Sequence, residues 1–373
     1  MHIGFRGELT GDRRVRAGFI GCGSHSFRNV YPTFQFAPVE LVAVCDLSID
    51  KARAFAGQFG AGAAYDDYHQ MLARGDLEAV FVVTNYDDRG RPRFPGIAVD
   101  CLRAGVHVWM EKPPAATCAD IERIQAASAE TGKHVLVGMK KMFFPANEKA
   151  KALMEAESFG RVQLATLNYP QYTPTVEELR RYLAGERVGP VVSFLDHLCH
   201  PVSLMLYLLG MPATLFYQRS GTGAAAATFT FPSGAVAVIQ LTCGSAGNGG
   251  MERTMIVGDR GRHIVVDNNI RVKLVRPSGA GRPYGATSDY FRGPDEAGAL
   301  AWEPEFSLGQ LYNKGLFLLG YYGEVAEFAR SVLEGRPPAK GTLAQAWQAT
   351  RIFEAFAAGS GRVIPLDTPP AGL

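Results

Sequence analysis

The strongest constraint on this chain is a unit repeated through its first third: an apolar run of strand length, a turn, a helix-length stretch, and another apolar run. Val15 to Ile20 empties directly into Gly21-Cys22-Gly23-Ser24-His25-Ser26, and a helix is expected before the next strand, Leu41 to Cys45. Ala79 to Val83 is a third strand, ending at Thr84-Asn85. A helix over Gly96 to Ala104, stopped by Gly105, leads to the strand Val106 to Met110, and a helix over 118–131 leads to His134 to Val137. Parallel neighbours need a long return path, so this recurrence predicts an α/β, doubly wound parallel-sheet (Rossmann) domain over residues 1–139, with 1–14 as an N-terminal extension.

The rhythm changes after Gly138. Residues 140–373 read as a second, α+β domain: a helix over 145–157, then strands at Val162 to Asn168, Ala225 to Phe231, Ala235 to Thr242, Arg253 to Val257, His263 to Val266 and Arg271 to Val275. Pro232-Ser233-Gly234 is a tight turn, so this large open sheet is expected to be mostly antiparallel. Residues 277–304 are rich in Gly and Pro and read as a long loop or an excursion from the sheet. Helices over 321–334 and 342–358 are expected to pack back toward the first domain. Alternation of Ala225, Ala227, Phe229 and Phe231, then Val236, Val238 and Leu241, calls for a covered face. A homodimer or homotetramer through the open sheet is therefore expected.

Composition narrows the partners. With 38 Lys plus Arg against 36 Asp plus Glu, no basic surface for nucleic acid is expected. Arg89, Arg91 and Arg93 read as a solvated loop. The 6 cysteines show no metal or redox spacing and mostly lie in apolar runs, which fits buried thiols and a cytoplasmic location. The charged start of the chain does not read as a secretory leader. The apolar stretch Val202 to Leu209 is closed by Gly210 and Pro212, so no membrane span is expected.

The turn after the first strand has the chemistry of a dinucleotide site. Gly21 and Gly23 permit a sharp reversal and close approach of backbone amides to a pyrophosphate, and Cys22, Ser24, His25 and Ser26 complete the loop. Ser26 stands where a third glycine is usual. Asp46 ends the second strand, where a carboxylate accepts ribose hydroxyls and repels a 2'-phosphate, favouring NAD over NADP, although Lys51 and Arg53 oppose this preference. The same residue would also serve as a helix N-cap. Thr84, Asn85 and Glu111 belong to the same strand-end edge.

That edge also carries Lys112, held by Pro113 and Pro114. An ammonium there can stabilise negative charge developing on a hydroxyl oxygen; a solvated lysine paired with Glu111 or Asp120 is the alternative. Further on, Asp196 and His200 stand one helical turn apart, with His197 between them.

The run Ala17 to Gly23, Asp46, Ala104 to Pro113 with its Glu111-Lys112-Pro113, the Asp196-x-x-x-His200 pair and Glu324-x-x-x-Phe328 resemble the Gfo/Idh/MocA-type oxidoreductases. That family includes glucose-fructose oxidoreductase and myo-inositol dehydrogenase. The resemblance implies an NAD-dependent enzyme moving a hydride between the nicotinamide and a hydroxyl carbon of a sugar-like or cyclitol-like small molecule. Lys112 would be the catalytic lysine, His200 the acid-base residue and Asp196 its accompanying carboxylate. Asn168, Tyr169, Tyr172 and His197, and the insertion Thr175 to Gly189, are expected to line or cover the substrate cleft. The insertion reads equally as a surface excursion.

Several positions depart from the family pattern. Pro201 follows His200, so either the helix starts later or its first turn is distorted. Ser203 and Met142 replace a usual Asp and Arg, and Tyr86 to Arg91 replaces a shorter turn. A metal at Asp196, His197 and His200 is not expected, since no distant ligand is nominated. Two alternatives stay open: an enzyme with a tightly held, internally recycled cofactor, or a non-catalytic dinucleotide or sugar sensor.

Overall fold

The computed structural model describes residues 13–245, 252–277, 298–303 and 314–366. Six short, mostly apolar segments build a first sheet: β1 (Val15–Ile20), β2 (Val39–Cys45), β3 (Ala63–Tyr65), β4 (Ala79–Val82), β5 (His107–Glu111) and β6 (Val135–Gly138). Their order is β3-β2-β1-β4-β5-β6, and every pairing is parallel. Return paths are supplied by α1 (Ile49–Phe59), α2 (Tyr68–Leu72), α3 (Phe94–Arg103) and α4 (Cys118–Thr131). Strand order reverses between β1 and β4, and the crevice outside their carboxyl ends is where such sheets bind ligands.

One local expectation needs correction. No regular α-helix follows the glycine turn: Ser26–Val30 forms a π-type turn and Tyr31–Gln35 a 3-10 turn. Pro32 has no amide hydrogen to continue an α-helical ladder, and Tyr31 instead stacks on Phe19 and Phe59 at 3.9 and 4.5 Å between centroids.

The second part contains α5 (Pro145–Glu155), β7 (Val162–Tyr169), α6 (Val176–Leu183), α7 (Gly189–Leu209), β8 (Thr214–Arg219), β9 (Ala225–Thr230), β10 (Val236–Leu241), β11 (Arg253–Gly258), β12 (His263–Asp267) and β13 (Arg271–Val275). β14 (Ala299–Trp302), α8 (Lys314–Leu318), α9 (Tyr321–Glu334), α10 (Leu343–Ala355) and β15 (Val363–Pro365) complete it. The nine strands run β14-β13-β12-β11-β7-β10-β9-β8-β15, antiparallel except for β7 beside β10. The segment expected to be a loop at 277–304 therefore supplies an edge strand, β14, paired to β13; residues 278–297 lie outside the described residues. The first 12 residues of the expected extension lie outside them too.

Two cores result. Val325, Phe328, Ala329 and Val332 of α9 and Ala346 and Trp347 of α10 join the core of the first sheet, where Phe328 meets Phe81 edge-on. The other core lies between the nine-stranded sheet and α7. Ala225, Ala227, Phe229, Phe231 and Leu241 are buried in it, whereas Val236 and Val238 alternate onto the opposite face. The seven residues read as one apolar set thus divide between two faces.

α7 corrects two further expectations. It is 21 residues long, with an 18-residue stretch of mean hydropathy 1.4, long and apolar enough to cross a membrane, and 72% of that stretch is buried inside the protein. It starts at Gly189, so Pro201 lies deep within it, neither at its start nor in a distorted first turn. Burial of Val191, Phe194, Leu195, Leu198, Val202 and Met205 holds the helix across the one hydrogen bond the proline cannot make.

Candidate active site at the seam of the two sheets

The glycine turn is shaped by its neighbours. Gly21 has φ +112, and a Cβ there would lie 1.8 Å from the Val83 carbonyl oxygen, so only glycine fits where β1 and β4 diverge. Asp46 accepts the amide of Cys22 at 2.8 Å and that of Ser48 at 3.0 Å, which ties the end of β2 to the turn and leaves the cap of α1 to Ser48. Beside Gly23 there is open space. Ser24 accepts from Arg28, and the Cys22 thiol is buried near Tyr31. Ser26 Oγ and Thr84 Oγ1 are buried without a hydrogen-bond partner among the described residues, both at the carboxyl edge of the sheet. Hydroxyls left unsatisfied at a crevice of open backbone amides fit a dinucleotide.

His25 does more than border this turn. Its Nε2 meets Glu111 Oε1 at 2.7 Å and its Nδ1 accepts from Asn29 at 3.1 Å. Glu111 also accepts the backbone amide of Lys112 through Oε2, so it braces the end of β5. Asn85 lies on the loop leaving β4, with no side-chain hydrogen bond among the described residues.

Lys112 emerges from the carboxyl end of β5, and α7 brings Asp196 to it: Nζ lies 2.9 Å from Asp196 Oδ1. The same oxygen accepts the Tyr86 hydroxyl at 2.6 Å. Burial pulls the lysine pKa down, but Glu111, Cys199 and Asp196 raise it above its ordinary value, so it stays cationic. Burial would raise the Asp196 pKa, yet Lys112 and Tyr86 hold it below the usual carboxylate range. Burial and Asp196 keep Tyr86 a protonated phenol.

His200, also on α7, is 9% exposed and faces Tyr169 at 6.1 Å between ring centroids. Burial, reinforced by Lys112, Lys140 and Lys141, pushes its pKa well below the ordinary histidine value, so the imidazole is neutral at pH 7. The expected partnership between His200 and Asp196 is corrected here: the carboxylate is turned to Lys112 and Tyr86, and no side-chain hydrogen bond of His200 occurs among the described residues. One helical turn sets the two on the same side of α7, but the stronger field of the lysine claims the carboxylate.

Other expected substrate residues are dispersed. Tyr169 points to His200, whereas Asn168, its neighbour in β7, lies on the opposite face of the sheet, because successive side chains alternate. Tyr172 is held by Arg219 at 3.0 Å and packed on Gly223. His197 is partly exposed, with Nδ1 at 2.8 Å from the Ser193 carbonyl and 3.7 Å from Asp196. The insertion at 175–189 forms α6, which Thr175 and Glu178 cap reciprocally; its Tyr182 donates to the Gly90 carbonyl at 2.9 Å. It thereby braces the loop that carries Tyr86. No grouping of three or more His, Cys, Asp or Glu side chains suited to a metal occurs among the described residues.

Sequence reasoning missed Tyr86, Lys140, Lys141 and Tyr321 as site residues. Lys140 and Lys141 follow β6; Lys140 Nζ donates to the Tyr321 hydroxyl at 2.7 Å, and Lys141 pairs with Glu252. Glu324 was visible only as part of the family pattern. It is fully buried, both its oxygens lack partners among the described residues, and burial together with Glu111 pushes its pKa well above the usual range despite Lys140. Its surroundings therefore favour the protonated carboxyl over the carboxylate.

Residues 15–139 match the family described as "Oxidoreductase family, NAD-binding Rossmann fold", and residues 147–264 match the "GFO/IDH/MocA C-terminal domain". The chain belongs to the Gfo/Idh/MocA oxidoreductase family. Its first sheet is this family's NAD-binding domain, and the Lys112–Asp196 pair stands where the family's two matched regions meet. Among curated proteins it is similar to 1-carboxy-3-chloro-3,4-dihydroxycyclohexa-1,5-diene dehydrogenase of Comamonas testosteroni, at 32% identity over 177 residues, covering 46% of this chain and 43% of that protein. Inositol 2-dehydrogenase of Salmonella typhimurium matches at 28% over 152 residues, 39% of this chain and 43% of that protein. The chain spans about half the length of the curated relatives it matches. Among solved structures, a dehydrogenase from Chromobacterium violaceum shares the fold with a TM-score of 0.76 at 21% identity, over 93% of this chain and 96% of that one.

Proposed function

We propose that this Gfo/Idh/MocA protein is an NAD-dependent dehydrogenase acting on a hydroxyl carbon of a sugar, cyclitol or related polyol. The observation that carries the reading is the ion pair between Lys112, from the dinucleotide domain, and Asp196 of α7, set beside a buried neutral His200. The relatives named above are dehydrogenases of hydroxyl-bearing rings, which supports the substrate class.

NAD supplies a hydride acceptor at C4 of its nicotinamide. The glycine turn and Asp46 would hold its pyrophosphate and adenosine ribose, and the carboxylate of Asp46 disfavours a 2'-phosphate. Lys112 hydrogen-bonds the reacting hydroxyl oxygen and stabilises the negative charge that grows on it; Asp196 and Tyr86 fix where that ammonium points. Neutral His200 takes the hydroxyl proton at a ring nitrogen, in surroundings that exclude bulk water.

The protein acts as a dimer or a tetramer of dimers through the outer face of the nine-stranded sheet. Half-buried Leu164, Val236, Val238, Met255 and Val257 on that face support this reading. Six free cysteines, five of them buried, support a reducing, cytoplasmic setting. The direct test is a screen of sugars and cyclitols with NAD for absorbance at the reduced-nicotinamide band. Absence of turnover across aldoses, cyclitols and their acids would remove the dehydrogenase reading.

A further inference from the structure

Three lysines lie just past the carboxyl ends of β5 and β6, where Glu111 pairs with Gly138, and all three act on His200; they are not equivalent. Lys112 is paired with Asp196 and Lys141 with Glu252, each by an ion pair to a carboxylate. Among the described residues, Lys140 has only the neutral Tyr321 hydroxyl as a hydrogen-bond acceptor, at 2.7 Å, and lies 4.5 Å from the centroid of that ring. It is not sealed away: Lys140 is half-buried, whereas Lys141 beside it is 3% exposed. An ammonium carries three donors, so Lys140 has donors left for something in the cleft.

The field at this position points to the charge of that partner. The groups acting most strongly on His200 besides burial are three lysines, Lys112, Lys140 and Lys141. Burial and the two neighbouring lysines outweigh Glu111 and Glu324 and lower the Lys140 pKa, so its ammonium would gain from a further anionic partner. Glu111 is hydrogen-bonded to His25 and to the Lys112 amide, and neither Glu111 nor Glu324 hydrogen-bonds Lys140 among the described residues. A neutral polyol leaves the ammonium without a hydrogen-bonded counter-charge. A carboxylate supplies one and makes a charge-assisted hydrogen bond.

We infer that Lys140 is an anchor for a carboxylate, and that the substrate is a hydroxy acid of the sugar-acid class, its carboxylate on Lys140 and its reacting hydroxyl between Lys112 and His200. This rests on the reading that the seam is the oxidoreductase site.

The experiment compares matched pairs, D-glucuronate with D-glucose and D-galacturonate with D-galactose, on the full chain. Calorimetric titration into protein saturated with NADH reads preference without turnover, and steady-state rates with NAD read it with turnover. The acid of at least one pair should bind about tenfold or more tightly than its neutral counterpart. Lys140→Met should reduce that ratio to about twofold or less, while Lys140→Arg, which keeps the charge, should retain most of it. Equal binding within both pairs, no binding of either acid, or a ratio unchanged in Lys140→Met overturns the assignment. Should the acids bind as expected while no aldose, cyclitol or acid of the wider screen reduces NAD, the dehydrogenase reading fails while the carboxylate anchor stands.

Discussion

Lys112 Nζ and the Tyr86 hydroxyl reach the same oxygen of Asp196, at 2.9 and 2.6 Å. Two segments of the dinucleotide domain, the end of β5 and the loop after β4, are thereby fastened to one carboxylate on a helix of the other domain. Asp196 thus acts through the lysine, which changes what its substitution should do.

Lys112→Ala removes the cationic donor at the reacting oxygen, and kcat should fall about a hundredfold to a thousandfold with NAD affinity nearly unchanged. Tyr86→Phe removes only one of two donors to Asp196, so about a tenfold loss in kcat is expected, from one charge-assisted hydrogen bond. Asp196→Asn should also lower kcat, leaving the acidic limb of the kcat/KM profile in place. A shift of that limb in Asp196→Asn would restore the direct partnership with His200. Steady-state rates across pH for the three variants decide among these outcomes.

His200→Ala should cost about 10² to 10⁴ in rate. In the oxidation direction the imidazole works in its neutral form, and its folded-state pKa lies well below 6.5. The kcat/KM profile should therefore be flat from about pH 6.5 upward and decline only at more acidic pH. An inflection at or above 6.5 that disappears in His200→Ala would contradict the burial and charge argument.

Glu324 gives a stability prediction with a definite sign. Its folded pKa is raised, so above the ordinary value of 4.5 the unfolded chain loses a proton that the folded protein keeps. Stability contributed by this group is full at low pH and declines as pH rises from 4.5 toward the folded pKa. Glu324→Gln preserves the shape of the neutral acid and cannot ionise in either state. Its melting temperature should exceed that of the wild type at pH 8, with the gap narrowing toward pH 4.5. A gap independent of pH would show that the glutamate is ionised in the fold.

Asp46 should make NAD bind at least about tenfold more tightly than NADP, roughly 1.4 kcal/mol. Because its carboxylate also holds the Cys22 amide, Asp46→Ala should loosen NAD itself as well as narrow the preference. Calorimetry with both cofactors measures each effect, and equal affinities in the wild type would remove Asp46 from the adenosine site.

Sedimentation should give a dimer or tetramer at micromolar protein, and charge placed on the outer sheet face, as in Val238→Glu, should shift it toward monomer. A monomeric wild type would leave Leu164, Val236 and Met255 without the cover proposed for them.

The sequence by itself determined whatever depends on local order: the parallel sheet, from apolar runs at crossover spacing; the glycine turn, from glycines after a strand; and the candidacy of Lys112 and His200, from motifs short enough to recognise. Even there, local reasoning failed where a proline was met, since Pro32 and Pro201 have opposite outcomes. The first prevents a regular helix and the second is carried within one, because α7 has a packed apolar surface on either side of it. Only the tertiary structure decided which charges meet. Tyr86 and Asp196 are far apart in sequence, and Lys140 and Tyr321 are farther still, so no spacing rule connects them. The position of Asn168 likewise depended on which face of β7 the helices cover, and a one-residue step in a strand reverses that answer. Ion pairing and burial are set by distances in space, and those distances exist only once the two sheets have met along the seam.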